Sequence, residues 1–133
     1  MSMYHEQQTD LKDEKHLVSA LHDMGFLVEC HEQPQALMDW HGQPRPQKAN
    51  IIIRRNHTGL CASNDVGFLK MSDGTYQAIV SDYDQQKFNQ TWLGQLRAGY
   101  VEHWQIASQR ARGRVFLGKE KVGDHVRLSF GVR

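Results

Sequence analysis

The apolar positions of two segments recur every three or four residues, which is the period of an amphipathic helix. The first segment predicts a helix over residues 14–24, with Asp13 as its N-cap and Gly25 just past its C-terminus. The second segment predicts a longer helix over residues 86–109 that has a wide apolar face. That face comprises Phe88, Trp92, Leu96, Tyr100, Trp104 and Ala107.

Alternating or β-branched runs predict strands between these helices. Residues 26–31 and 50–55 have this pattern, and the second run begins with three isoleucines, which favours a strand buried on both faces. The sequence Gln-Pro-Gln at 33–35 predicts a turn, and a short strand through residues 37–41 would follow it. Residues 42–49 hold two prolines and predict a loop.

Two hairpins complete the predicted elements. Asp73-Gly74 separates β-rich runs at 65–71 and 75–81, and Asp-Gly supplies the positive φ that tight hairpin turns require. Residues 115–118 and 125–132 predict a closing hairpin. The whole pattern predicts one α+β domain over residues 1–133, in which a mostly antiparallel sheet and two amphipathic helices form two layers.

Composition narrows the classes of protein that fit this pattern. The chain has 133 residues, of which 39% are hydrophobic, and this is enough for one core. Its 16 cationic and 15 acidic side chains give a net charge of +1, so no global field recruits nucleic acid or an anionic membrane. Two cysteines without a C-x-x-C motif, a polar N-terminus and short apolar runs predict a cytoplasmic protein with no membrane segment.

An ordered series of residues across the chain resembles a family found in plastids and cyanobacteria. The opening match comprises Met1-Ser2, Thr9, Leu11, Asp13, Leu17, Ala20-Leu21, Asp23 and Gly25-Phe26. The later matches are Gly42-Gln43, residues 49–52, 65–68 and 76–82, and Phe88, Leu96 and Tyr100. The chain thus resembles the hypothetical chloroplast open reading frame family numbered thirty-five, a domain of unknown function.

The resemblance implies structure rather than chemistry. It implies that residues 2–11 form a first strand, which the polar composition of this segment does not predict. The family brings no reaction and no catalytic residues that can be carried over to this chain. Two features depart from the family pattern: a long loop over residues 56–64 and extra charge and histidine in the second helix.

Sequence motifs predict no catalytic residue, no cofactor and no metal site. The chain lacks a Gly-x-Ser-x-Gly nucleophile motif and a glycine-rich phosphate loop. His31 with His41, and His57 with Cys61, are the best metal-ligand spacings, but they are scattered and lack the second tight pair of a structural zinc site. These histidines are therefore interpreted as ordinary surface or hydrogen-bonded side chains.

A group of central residues forms the predicted pocket or interface. It comprises Trp40, His41, Asp65, Gly67, Phe68 and Asp82. Gly67 removes a side chain from a strand, and we expect Trp40 or Trp92 to stack over it, although a ligand is the alternative. Asp82 and Asp84 follow a predicted strand, where carboxylates bind a cation, serve as acid and base, or cap the next helix, and capping is favoured.

Cationic residues provide the second candidate site. It comprises Arg54, Arg55, Arg110, Arg112 and Arg114. The function predicted first is a non-catalytic adaptor or inhibitor that binds a protein partner or a second copy of itself, because aromatic and arginine residues are typical interface anchors. The alternative is a binder of a nucleotide, another small anion or nucleic acid through the arginines. A metal-dependent hydrolase built on His41, Asp65 and Asp82 is a second alternative.

Overall fold

The computed structural model of the chain describes residues 3–123 and 125–132. Five strands form one antiparallel sheet in the spatial order β1-β5-β4-β3-β2. The strands are β1 (Tyr4–Gln8), β2 (Glu29–Met38), β3 (Pro44–Ile53), β4 (Val66–Lys70) and β5 (Tyr76–Ser81). The helices are α1 (Glu14–Asp23) and α2 (Gln90–Ala111), and a separate hairpin consists of β6 (Arg114–Val122) and β7 (His125–Val132). The predicted α+β class is confirmed.

The two helices lie on one face of the five-stranded sheet, and their apolar stripes form the main core with it. Leu17, Ala20 and Leu21 of α1 are buried there. Phe88 and the first half of α2, through Trp92, Leu96 and Tyr100, complete this core. Burial of such stripes contributes about 25 cal/mol per Å² of apolar surface, so the packing of helices on sheet is the main source of stability.

Local signals place the ends of α1 where the sequence predicts them. Asp13 Oδ1 accepts a hydrogen bond from the backbone N–H of His16 at 3.2 Å, which caps the helix. Gly25 follows with φ +92°, and the N–H of Phe26 donates to the carbonyl of Leu21 at 3.0 Å. The predicted hairpin at Asp73-Gly74 is also present, since β4 and β5 flank it. The strand that the resemblance implies within residues 2–11 is β1.

The predicted turn at 33–35 is wrong, because these residues belong to β2, and the predicted loop at 42–49 is wrong from Pro44 onwards, where β3 begins. Pro34 lies in an edge strand at a bulge, where the register shifts between Cys30 and Gln35, so its missing N–H costs no ladder bond. The side chain of Asn50 donates to the carbonyls of His31 and Glu32 in that bulge. The turn lies at residues 39–43. Of the short strand predicted through 37–41, only residues 37 and 38 are strand, at the end of β2.

The prolines of β3 occupy its first half, which has only one neighbouring strand among the described residues. β4 pairs with β3 at Ile51–Ile53, whereas the segment before Ala49 pairs with β2 alone. The first half of β3, which β4 does not pair, bends over the face of the sheet that the helices leave uncovered. Arg45 of β3 lies 5.4 Å above the ring of Tyr4 in β1, although two other strands separate β3 from β1. The bend covers a second, smaller core of Tyr4, Leu37, Ala49, Ile52 and Ile79.

The second helix differs from its prediction at both ends. Residues Asp84–Gln86 form a separate tight turn, and Asn89 caps α2 by accepting a 3.0 Å hydrogen bond from the N–H of Trp92. The predicted apolar face ends at Tyr100, because Trp104 is 53% exposed and Ala107 is exposed as well. The rest of α2 projects past the sheet and carries β6 and β7. We call residues 104–132 the C-terminal extension.

No helix in residues 3–123 and 125–132 combines the length and the apolar character that crossing a bilayer requires.

Candidate functional site

Asp65 is a fully buried carboxylate that joins three segments of the chain. Its side chain accepts hydrogen bonds from the N–H of Met38 at 2.7 Å, the N–H of Arg55 at 2.7 Å and the guanidinium of Arg54 at 2.8 Å. Its backbone carbonyl accepts the hydroxyl of Tyr4 at 2.8 Å. These bonds use the lone pairs of Asp65 to hold the ends of β2, β3 and β4 together.

Arg54 is committed to ion pairs inside the protein. Its guanidinium binds Glu29 through two hydrogen bonds of 2.9 and 2.8 Å as well as contacting Asp65. The hydrogen bonds from Arg54 lower the pKa of Glu29 to about 2, and the same bonds raise the pKa of Arg54. The guanidinium of Arg55 packs against Gly42 in the β2–β3 turn. The bonds of Arg54 to Glu29, Asp65 and the carbonyl of Ala36 use four of its five guanidinium N–H groups inside the protein.

Asp84, rather than Asp82, is the buried carboxylate after β5. It accepts hydrogen bonds from Ser63 Oγ at 2.6 Å, Ser81 Oγ at 2.8 Å and the N–H of Asn64 at 3.0 Å. Asp82 is exposed and pairs with His5. Neither residue caps α2, so the capping interpretation is wrong. Asp84 instead fixes the loop before β4 to the turn after β5.

The remaining residues of the predicted pocket divide between core and surface. Phe68 is fully buried on the helix side, 6.4 Å from the ring of Trp92. Gly67 faces the second core, where a Cβ would lie 2.5 Å from the Cβ of Ala49, so close packing by β2 and β3 explains this glycine. Trp40 is 49% exposed and lies beside His41, with 3.7 Å between ring centroids. The expected stacking of a tryptophan over Gly67 is therefore wrong.

The polar groups at this end of the sheet have a structural role. The carboxylate oxygens of Asp65 and Asp84 accept hydrogen bonds from backbone and side-chain donors of adjacent loops. Within the described residues, no group of three or more His, Cys, Asp or Glu side chains is placed to hold a metal. The largest cavity among those found, about 520 Å³, lies between β1 and α2 and contains none of the predicted site residues. Its lining includes the exposed ion pair of Asp10 with Arg97.

The five predicted cationic residues do not form one cluster. Arg54 and Arg55 follow β3, at the same end of the sheet as the turn that precedes α2, since Lys87 there donates to the carbonyl of Thr58. Arg110, Arg112 and Arg114 lie at the other end of α2, and 22 residues of helix span about 33 Å. Only this second group is exposed to solvent.

The C-terminal extension combines these cations with exposed apolar side chains. Its large apolar residues with at least 41% exposure are Trp104, Val115, Leu117, Val122, Val126 and Val132. Residues 110–133 hold seven of the 16 cationic side chains and two of the 15 acidic ones. The net charge of +1 is therefore the sum of a cationic extension and an anionic body.

Two shallow grooves separate α2 from β7 within the extension. They have volumes of about 350 and 390 Å³, and Val126 and Leu128 line both. Trp104 and Phe130 line the larger groove. The hairpin is fastened to the helix by Lys119, whose ammonium donates to Glu102 at 2.8 Å. The apolar face of β7 is therefore only partly covered by its own chain.

Sequence reasoning missed the extension because it assigned Trp104 and Ala107 to the core. The signal that was missed is the length of α2 compared with the lengths of the central strands. A helix of 22 residues spans about 33 Å, whereas strands of five or six residues, such as β4 and β5, span about 17–20 Å. The helix is therefore about 13–16 Å longer than these two central strands, or about two-fifths to a half of its length. Trp104 lies on the part of the helix beyond them and is 53% exposed.

Comparisons with protein-family models, curated proteins and solved structures found no match to this chain.

Proposed function

We propose that this chain is a non-catalytic binding domain that docks another protein chain through its C-terminal extension. The observation that carries the proposal is the concentration of exposed apolar side chains on residues 104–132, beside a body whose core is closed. Exposed apolar patches on a folded domain mark interaction sites, and Trp104 and Val126 line one groove between α2 and β7.

The architecture of the extension supports this proposal. A two-stranded sheet on its own is marginally stable in water. Here the hairpin of β6 and β7 receives support from one helix only, and no further strand within the described residues covers its edges. Its hydrophobic side chains gain free energy when a partner removes them from water, at about 25 cal/mol per Å². Docking would therefore stabilise the extension and bind the partner at the same time.

The side-chain types on the extension are those of protein interfaces. Tryptophan and arginine are enriched among the residues that contribute most to binding energy. Trp104 is exposed near Arg112, since both line the same groove. The buried polar network of the body, by contrast, holds its own loops together, and the exposed Trp40 of the body packs against His41.

Site-specific photo-crosslinking in cells that produce the protein tests this proposal. A photoreactive residue at position 104 or 126 should yield the same protein adduct from both sites, whereas the same residue at the exposed Lys48 of the body should yield none. The purified partner should then bind the wild-type chain at least tenfold more tightly than Trp104→Ala. Trp40→Ala, which removes a tryptophan of similar exposure from the body, should leave the affinity unchanged. Equal crosslinking from position 48, or none from the extension, would refute the proposal.

A second candidate function is binding of nucleic acid by the same extension. The excess of cations in residues 110–133 favours it, because lysines and arginines that neutralise phosphates release counterions and drive such binding. Binding to a fluorescent oligonucleotide should then weaken steeply between 50 and 200 mM salt, by several orders of magnitude for six or more phosphate contacts. Affinity that does not depend on salt would exclude this function.

Two expectations from the sequence remain predictions. The cytoplasmic location is supported by Cys30 and Cys61, which are both exposed free thiols, as expected in a reducing compartment. The resemblance to the chloroplast reading-frame family adds no reaction to the proposal, since that family offers no catalytic residues to compare.

A further inference from the structure

We infer that the partner docked by the extension is a second copy of this chain, and that β7 strands of the two copies pair antiparallel about a twofold axis at Ser129. This inference rests on the proposed function, because it names the occupant of the same surface. Twofold dimers are the commonest oligomers, and their interface must be complementary to itself. Three properties of β7 meet that requirement.

The first property is an unprotected strand edge. The outer edge of β6 is blunted by a register shift between Phe116 and Gly118 and by Lys119, Glu120 and Lys121, which are devices that prevent strand addition. Between Val126 and Val132, β7 has no proline, no lysine and no register shift of its own residues. Arg127 is the single charged residue in that stretch. Of the two edges of the hairpin, β7 is the one suited to accept another strand.

The second property is the direction of the free backbone groups. Val122 opposes His125 across a two-residue connection, and residues flanking such a connection form a hydrogen-bonded pair. The N–H and C=O of His125 therefore point towards β6. Because these directions alternate along a strand, the backbone N–H and C=O groups of the next residue and of every second residue after it point away from β6. These residues are Val126, Leu128, Phe130 and Val132. These four residues present a regular row of unpaired donors and acceptors.

The third property is the register that a twofold axis at Ser129 produces. Leu128 then faces Phe130 of the second copy, Val126 faces Val132, and Arg127 faces Gly131. All four outward residues fall in hydrogen-bonded pairs, which gives about eight backbone hydrogen bonds. An axis at Arg127 would set two guanidinium groups opposite each other, and like charges directly opposite are unfavourable. A one-residue shift of the register would place apolar residues against polar ones.

The dimer also accounts for the incomplete cover of the apolar face. Val126, Leu128 and Phe130 line the groove beside Trp104. Pairing of two β7 strands would create a four-stranded sheet across the axis and bring the apolar face of each copy next to that of the other. Both extensions are cationic, so added salt should screen their repulsion and strengthen the dimer. Nucleic-acid binding would respond to salt in the opposite direction.

Engineered cysteines test the inference directly. In a chain carrying Cys30→Ser and Cys61→Ser, we compare Ser129→Cys with Arg127→Cys, since both positions are exposed on β7. The two Ser129 positions would form a pair without hydrogen bonds, with Cα atoms about 4.5 Å apart, which suits a disulfide. The two Arg127 positions would be offset by four residues, or about 13 Å, and cannot be bridged.

The expected result is rapid covalent dimerisation of Ser129→Cys under mild oxidation and none of Arg127→Cys. Light scattering of the wild-type chain should show a mass rising from 15.4 kDa towards twice that value as concentration increases. Circular dichroism must show that both variants retain the wild-type fold.

Equal rates for the two cysteines, or a mass that stays at one chain, would overturn the inference. If the photoreactive residue at 104 captures a different protein while Ser129→Cys stays monomeric, this inference fails and the proposed docking function stands. If the extension yields neither a photo-crosslinked protein nor a disulfide-linked dimer, both the dimer and the proposed docking function are refuted.

Discussion

Asp65 shows how one residue connects the local and tertiary structure of the body. A buried carboxylate is unfavourable unless its charge is paired and its oxygens accept hydrogen bonds. Asp65 meets both conditions, because it binds Arg54 and two backbone N–H groups from different segments. The type of residue that usually indicates a catalytic or metal site serves here to fix the ends of three strands.

Replacing Asp65 with asparagine should destabilise the fold by about 2–4 kcal/mol, because the amide puts a donor among three donors and leaves Arg54 without its buried counterion. Urea denaturation measures this loss. Asp82→Asn is the matched control, since it alters an exposed carboxylate and should cost less than about 1 kcal/mol. Similar losses for the two variants would refute the structural role of Asp65.

The contact between Glu29 and Arg54 should make stability depend on pH in a defined window. The pKa of Glu29 is lowered from 4.5 to about 2 in the folded chain, first by the hydrogen bonds from Arg54. The stabilisation is therefore complete above about pH 4.5 and is lost as pH falls towards 2. The difference in unfolding free energy between wild type and Glu29→Gln should shrink across that window. Glu6→Gln, at an exposed position, should show no such trend, and a constant difference for Glu29→Gln would contradict the assignment.

At the scale of elements, the sequence predicts those whose signals are local. α1, the β4–β5 hairpin and β7 follow from apolar period, a cap or a turn dipeptide. The β2–β3 hairpin was missed because its prolines have no local explanation. They are tolerated only because β2 is an edge strand and the first half of β3 has one neighbour, which are facts about tertiary structure.

The bend of β3 over the sheet predicts a specific response at Gly67. Gly67→Ala should cost about 1–3 kcal/mol, because the new methyl group would lie 2.5 Å from Ala49 Cβ and 2.9 Å from Leu37 Cδ2. Thermal unfolding measures the loss, and adding Ala49→Gly should restore much of it. Gly94→Ala is the control, since its Cβ would meet nothing within 4 Å and the substitution in α2 should stabilise by up to about 1 kcal/mol. An unchanged melting temperature for Gly67→Ala would show that β3 does not cover this face.

The candidate site was harder to predict than the fold. Asp65 of the predicted pocket contacts Arg54 and Arg55 of the predicted cationic site, but these contacts are internal to the fold. The sequence shows which residues are charged, but it does not show which of them form ion pairs inside the folded protein. The exposed apolar residues of the extension were hidden for a different reason: the helical period continues through Trp104 after the sheet beneath it has ended.

At the scale of the whole molecule, the chain divides into a closed body and an open extension. The body has two cores and a buried polar network, and it holds most of the acidic residues. The extension carries most of the exposed large apolar residues and a cationic excess. Local stability follows the density of buried contacts, so the two parts should differ widely in their opening free energies.

Hydrogen exchange of individual amides tests this division most directly. At limiting dilution the amides of β4 and β5 should exchange only through global unfolding, whereas those of β7 should exchange orders of magnitude faster. At high protein concentration the outward amides of Val126, Leu128 and Phe130 should become protected, while β4 and β5 should not change. Amides of β7 that exchange as slowly as those of β4 in the dilute chain would contradict the account, because the extension would then be stable without any partner.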